Sequence, residues 1–104
     1  MTNAMNLFGK KNEDVCCFSV NTGLYAAFKE MGNMNATFCG HDHNNDYFGE
    51  YYGIDLHYGR KTGHGGYGPP AGMQRGAKIL EFSFEDDELK LDTWIRQEDG
   101  STVT

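Results

Sequence analysis

Ala36-Thr37-Phe38-Cys39-Gly40-His41-Asp42-His43-Asn44-Asn45-Asp46 is the stretch on which the reading of this chain turns. An apolar run rich in β-formers stops at a glycine and opens onto two histidines spaced i, i+2, followed by a turn-forming Asn-Asn-Asp. That is the layout of a metal site at a strand end. Neutral imidazole is the commonest protein ligand for zinc and similar ions, and a strand end holds ligands more rigidly than a loop does. Gly40 lets the backbone approach an ion closely. On a continuing strand His41 and His43 face the same way and chelate one ion; on a turn they diverge and each serves a different ion of a pair. Asp42 and Asp46 are candidate acceptors that orient the imidazoles from behind.

Working outward, Leu24, Ala27, Phe28 and Met31 recur at i, i+3, i+4 and i+7. The spacing predicts a short amphipathic helix whose Met and aromatic stripe is core, with Asn21 or Thr22 as N-cap and Gly32 as C-cap. Before it, Met1 to Asp14 reads as a polar loop, and Val15 to Val20 as a strand or an approach to the helix. After the histidines, Asn44 to Phe48 carries the chain away. Tyr51 to Tyr58 reads as a strand with Tyr52, Ile54, Leu56 and Tyr58 on its core face.

Gly59 to Gly72 is glycine-dense and reads as a loop. Its Arg60 and Lys61 have two readings: cations beside an anionic substrate, as the guanidinium fork suits phosphate, or basic residues on a solvated loop. His57 and His64 read as surface or packing histidines. Arg75 to Phe84 and Leu89 to Arg96 alternate as a β-hairpin, with Lys78, Leu80, Phe82 and Phe84 on one face and Leu89, Leu91, Thr93 and Ile95 on one face of the partner strand. The acidic Glu85-Asp86-Asp87-Glu88 between them lacks the glycine and ligand spacing of a calcium loop and reads as a solvated turn. The polar tail from Gln97 is expected to fray.

The composition bounds the function. A chain of 104 residues is one segment at most, ordered by this reading over about residues 13–96. It buries roughly 60 to 70% of its unfolded surface. With 38% hydrophobic residues, 13% aromatics and Gly 14, much of its apolar surface is expected to pack on something outside the segment. A net charge of -6 argues against nucleic acid as a partner, because that needs a basic footprint. No run approaches the roughly 18 apolar residues of a membrane span. Cys16, Cys17 and Cys39 are an odd count that fits no complete disulfide framework, and they read as buried free thiols.

Several further runs accompany the central stretch: Val20-Asn21-Thr22-Gly23-Leu24-Tyr25-Ala26-Ala27-Phe28, Glu30-Met31-Gly32, Tyr58-Gly59-Arg60-Lys61-Thr62-Gly63, Gly65-Gly66-Tyr67-Gly68 and Arg75-Gly76-Ala77. Together with Gly40-His41-Asp42-His43-Asn44-Asn45-Asp46-Tyr47, from about Glu13 to Glu81, the chain resembles the C-terminal portion of a calcineurin-like metallophosphoesterase of the purple acid phosphatase-related branch. The resemblance implies an α+β, strand-rich part of a two-sheet sandwich, with one short helix and several mostly antiparallel strands. It implies that His41 ligates one metal and His43 the other in a centre of two divalent or trivalent ions, iron, zinc or manganese. It implies as substrate a phosphate ester, a phosphoprotein included, attacked in line by a metal-bridging hydroxide.

The family's earlier motifs, a DxH, a GDxxD, a GNHE and a further histidine, do not precede His41, which is the first histidine of the chain. Asp55-Leu56-His57 spells DxH by chance. The chain is therefore expected to be inactive by itself and to need the N-terminal part of the same domain as its partner. Two other readings compete: a structural zinc module using Cys39, His41 and His43 with Cys16 or Cys17, and an interaction domain without catalysis.

Overall fold

The computed structural model describes residues 7–104, which form one helix and two sheets. The first sheet joins β1 (Leu7–Lys10), β3 (Asp46–Tyr51), β4 (Ile54–Tyr58) and β2 (Ala36–Cys39) in the spatial order β1-β3-β4-β2. Its pairings are antiparallel except β2 with β4, which is parallel. The second sheet joins β5 (Gly76–Glu85), β6 (Glu88–Gln97) and β7 (Thr102–Val103), all antiparallel. The architecture is the expected α+β arrangement of mostly antiparallel strands.

Helix α1 (Leu24–Met31) forms where the apolar spacing predicts it and stops at Gly32, whose left-handed conformation lets its N–H bond the Phe28 carbonyl. The N-cap is Gly23 rather than Asn21 or Thr22; the Asn21 side chain instead accepts the Gly23 N–H at 2.9 Å. The stripe is not core. No residue of α1 is buried, and Leu24 and Met31 stay 63% and 65% exposed. The helix is fastened by the Tyr25 hydroxyl on the Tyr51 carbonyl and by an edge-on contact between the two rings at 5.1 Å.

Tyr51 to Tyr58 is not one strand. Tyr52 and Gly53 both take positive φ (47° and 83°), the two-residue turn whose twist matches a β-hairpin, so the chain reverses and β3 pairs with β4. Glycine within an alternating pattern was the mark of that reversal. The second hairpin forms where the alternation predicts it, and its register pairs Lys78 with Ile95, Leu80 with Thr93, Phe82 with Leu91 and Phe84 with Leu89, around a turn at Asp86-Asp87.

Both chain ends depart from expectation. Leu7–Lys10 is an edge strand, where the sequence reads as loop up to Asp14; the start of that loop lies outside the described residues. Val15 to Val20 forms neither strand nor helix, and Phe18 is 95% exposed. The tail is not frayed. Asp99 accepts hydrogen bonds from the Ser101 N–H and hydroxyl at 2.8 and 2.6 Å, and the turn they close returns β7 to β6.

The core is small and largely polar. Ile54, Tyr58 and Ile95 are the buried apolar residues among those described, beside buried Asp42, Asn45, Asp46, His57 and Arg60. One face of the first sheet carries an aromatic row in strand register: Phe8, Phe48, His57 and Phe38, with ring centroids 5.3, 5.1 and 4.6 Å apart. Lys78 of the second sheet lies against this row, 5.3 Å from the Phe48 centroid and 3.3 Å from His57 Nδ1. A separate apolar cavity of about 390 Å³ opens among Leu7, Val15, Tyr47, Leu56 and Tyr58.

Candidate metal centre

The site is built where edge strand β2 ends. Gly59 donates to the Cys39 carbonyl at 2.9 Å, closing the last rung beside β4, and at Gly40 the chain leaves the sheet. His41 adopts φ 105°, a conformation rare for a residue with a side chain. What holds it is Asp42. The Asp42 N–H donates to the Tyr58 hydroxyl at 3.0 Å, the same hydroxyl donates back to Oδ2 at 2.6 Å, and the Cys16 N–H adds a third bond at 3.0 Å.

Oδ1 of Asp42 faces His41 Nδ1 at 3.1 Å, a contact that can orient the imidazole. The Tyr58 hydroxyl foremost, and then the His41 imidazole and Cys16 N–H, hold the Asp42 carboxyl below its usual range although burial works the other way. Burial and the adjoining carboxylate push the Tyr58 hydroxyl well up. The pair is therefore a carboxylate and a neutral phenol, each fixing the other.

His43 sits in the following turn and is oriented by different residues. Its N–H donates to the Tyr67 hydroxyl at 3.2 Å, its Nδ1 bonds the Tyr67 carbonyl at 2.7 Å, and the two rings stack at 4.3 Å. Glu13 locks this from the far side, accepting the Tyr67 hydroxyl at 3.0 Å and the Asn44 N–H at 2.8 Å. Fully buried Asn45 accepts the Asn12 and Glu13 N–H groups at 2.9 and 3.0 Å, tying the N-terminal loop to the turn.

Both imidazoles fit metal ligation by their chemistry. A carboxylate and a carbonyl can only accept, so in the neutral form of each ring Nδ1 carries the proton and Nε2 the lone pair. The side chain of His41 is 74% exposed, so that lone pair is accessible. The histidines do not share a cluster. The one group of three or more candidate ligands among the described residues is Cys16, His41 and Asp42; His43 lies outside it, as does Cys39. The zinc module drawn from Cys39, His41 and His43 is thus not assembled. The three cysteines are free, as expected, but exposed rather than buried.

Arg60 and Asp46 correct two expectations. Asp46 lies behind neither imidazole, and Arg60 is on no solvated loop. Their side chains form a buried ion pair, with Arg60 Nη2 and Nε at 2.8 and 2.9 Å from Asp46 Oδ2. The remaining Arg60 nitrogen donates to the Gln74 carbonyl and the Gln97 side chain at 2.8 and 2.9 Å. The guanidinium is consumed in joining β3 to the end of β6. Lys61 differs: its ammonium bonds the Gly65 carbonyl and stands 3.5 Å from His43 Nδ1. His57 is a packing histidine, and His64 is exposed.

Glu13, Tyr58 and Tyr67 are the site residues the sequence does not announce. Tyr58 reads only as one more apolar position on an alternating strand. Glu13 and Tyr67 meet across 54 residues, a pairing that no local pattern encodes.

Three curated Arabidopsis thaliana proteins are similar to this chain. Probable inactive purple acid phosphatase 14 is 33% identical over 88% of the chain, covering 24% of that protein. Probable inactive purple acid phosphatase 28 is 37% identical over 83% of the chain and 21% of its own length; for probable inactive purple acid phosphatase 29 the figures are 36%, 69% and 18%. The chain thus spans between a fifth and a quarter of the first two relatives and slightly less of the third. No protein-family model matches it, and no solved structure matches significantly. Taken with the two-sheet fold, these similarities match the chain to a C-terminal segment of longer purple acid phosphatase-related proteins.

Proposed function

We propose that this segment supplies two imidazoles, His41 and His43, to a two-metal centre that hydrolyses phosphate monoesters once the rest of the domain is present. The observation that carries the reading is that each ring has its Nδ1 committed to a separate acceptor, Asp42 and Tyr67, leaving Nε2 of each as a ligand. Two independently oriented rings suit two ions better than one chelate. When bound, the ions would polarise the phosphoryl group and lower the pKa of a water nucleophile.

The chain's own residues have the positioning work. Tyr58 and Asp42 keep His41 in its unusual backbone conformation; Glu13 and Tyr67 keep His43 in place. Lys61, beside His43, is the basic group placed to attract a phosphate anion, whereas Arg60 is spent on Asp46. The apolar surface left uncovered, Leu24 and Met31 on α1 and the apolar cavity on the first sheet, suits a segment completed by further chain.

The test uses the longer protein that contains this segment, assayed with a chromogenic aryl phosphate and analysed for bound metal. His41→Ala and His43→Ala are each expected to remove about one metal equivalent and to lower turnover by roughly 100-fold or more. Unchanged turnover and metal content in both variants would sink the assignment. The relatives' printed names favour a second reading, a member that keeps the fold without turnover. Metal binding by the intact protein, with no hydrolysis of any phosphomonoester offered, is its signature.

A further inference from the structure

The cluster at Cys16 shares His41 with the ligand pair proposed above but not His43, so it and the two-metal centre are alternative uses of one imidazole. Cys16 Sγ, a His41 ring nitrogen and an Asp42 carboxylate oxygen all lie within 4.8 Å of one another. We infer that Cys16, His41 and Asp42 form a mononuclear site for a thiophilic divalent cation such as zinc, which this chain can fill without the rest of the domain.

The donor set suits that ion. Thiolate, imidazole and carboxylate are the three zinc ligand types, and a thiolate with a carboxylate neutralises the charge of a divalent cation. Ligand bonds of about 2.0 to 2.3 Å at tetrahedral angles require ligand atoms about 3.5 Å apart. Closing from within 4.8 Å falls to the two exposed side chains, Cys16 and His41, and the His41 ring exchanges its 3.1 Å contact between Nδ1 and Asp42 Oδ1 for the bond to the ion. The third ligand is already fixed, because Asp42 is buried and anchored by Tyr58.

The Cys16 backbone is held to the same carboxylate, its N–H 3.0 Å from Asp42 Oδ2, so the thiol is delivered by a tethered residue across 26 positions of sequence. Binding converts the Cys16 thiol to thiolate and releases its proton to solvent. The fourth coordination position is left to water. Cys17 and Cys39, equally exposed and free, do not join the cluster.

The experiment is titration of the reduced 104-residue chain with cobalt(II), whose thiolate charge-transfer band in the near ultraviolet reports sulfur ligation directly, followed by displacement with zinc. One equivalent is expected to bind with that band present. Cys16→Ser should abolish the band, while Cys17→Ser and Cys39→Ser retain it, with far-ultraviolet circular dichroism showing each variant folded. His41→Ala should weaken cobalt binding at least tenfold. Absence of the band in the native chain, its survival in Cys16→Ser, or its loss in Cys39→Ser overturns the proposal. These outcomes are independent of whether the longer protein hydrolyses phosphate esters, since no activity is read.

Discussion

Replacing Arg60 by Met should be among the most damaging single changes available in this chain. The side chains of Arg60 and Asp46 are only 6% and 10% exposed, and both Nη2 and Nε of the guanidinium converge on Asp46 Oδ2. Removing one member of such a pair leaves a buried, uncompensated charge, at a cost of about 3 to 5 kcal/mol. Against the roughly 5 to 15 kcal/mol by which complete folded domains are stable, that is a large fraction. It corresponds to a fall in Tm of at least about 10 °C.

The companion change Asp46→Asn separates charge from packing. If the carboxylate left behind is the source of the damage, the double variant Arg60→Met/Asp46→Asn regains most of the loss, whereas Arg60→Lys recovers only part, because an ammonium cannot also reach the Gln74 carbonyl and Gln97 side chain. Urea denaturation followed through Trp94, the single tryptophan, measures all four stabilities. A loss below about 1 kcal/mol in Arg60→Met, or a double variant no more stable than the single one, refutes the reasoning.

Two further outcomes are expected. Gly68 takes φ 73°, and a Cβ there would meet Asn44 Oδ1 at 2.6 Å and His43 Cβ at 3.0 Å; Gly68→Ala should displace the His43 ring and cost about 1 kcal/mol or more, while Gly63→Ala, with open space around it, leaves the His43 imidazole NMR signals unmoved. Equal effects from the two would show that the Tyr67 loop does not position His43. Burial first, and then the Lys78 ammonium, depress the pKa of His57 below its ordinary 6.5, so the folded chain resists its protonation. The stability this represents is present above pH 6.5 and is lost as pH falls through the depressed folded value. Thermal melts at pH 7.5 and 5.0 should therefore show a drop that His57→Phe reduces, and an unchanged drop would assign the acid sensitivity to other groups.

What the sequence determined by itself is what neighbours in sequence decide. Alternation set the two strands of the second hairpin and the residues that share a face on each, because strand side chains repeat every second residue, and the tight turn between them then leaves the one register in which Lys78 meets Ile95 and Phe84 meets Leu89. Gly32 ended α1, and the run through Gly40 put two histidines at a strand end. Where a local signal was misread, at Tyr52-Gly53, it was nonetheless present as a glycine in mid-pattern.

The tertiary structure alone decided which polar groups are taken out of water and what they then bind. Arg60 reads as a loop cation until Asp46, Gln74 and Gln97 close on it from 14 to 37 residues away. His57 becomes a core residue only because the strand order β1-β3-β4-β2 lines Phe8, Phe48 and Phe38 up on either side of it. Tyr58 and Tyr67 acquire their roles toward Asp42 and His43 in the same way, across 16 and 24 residues. A hydrogen bond between distant residues has no periodicity, since chain closure rather than local conformation brings its partners together. The positions of the histidines were therefore legible in the sequence, and the groups that aim them were not.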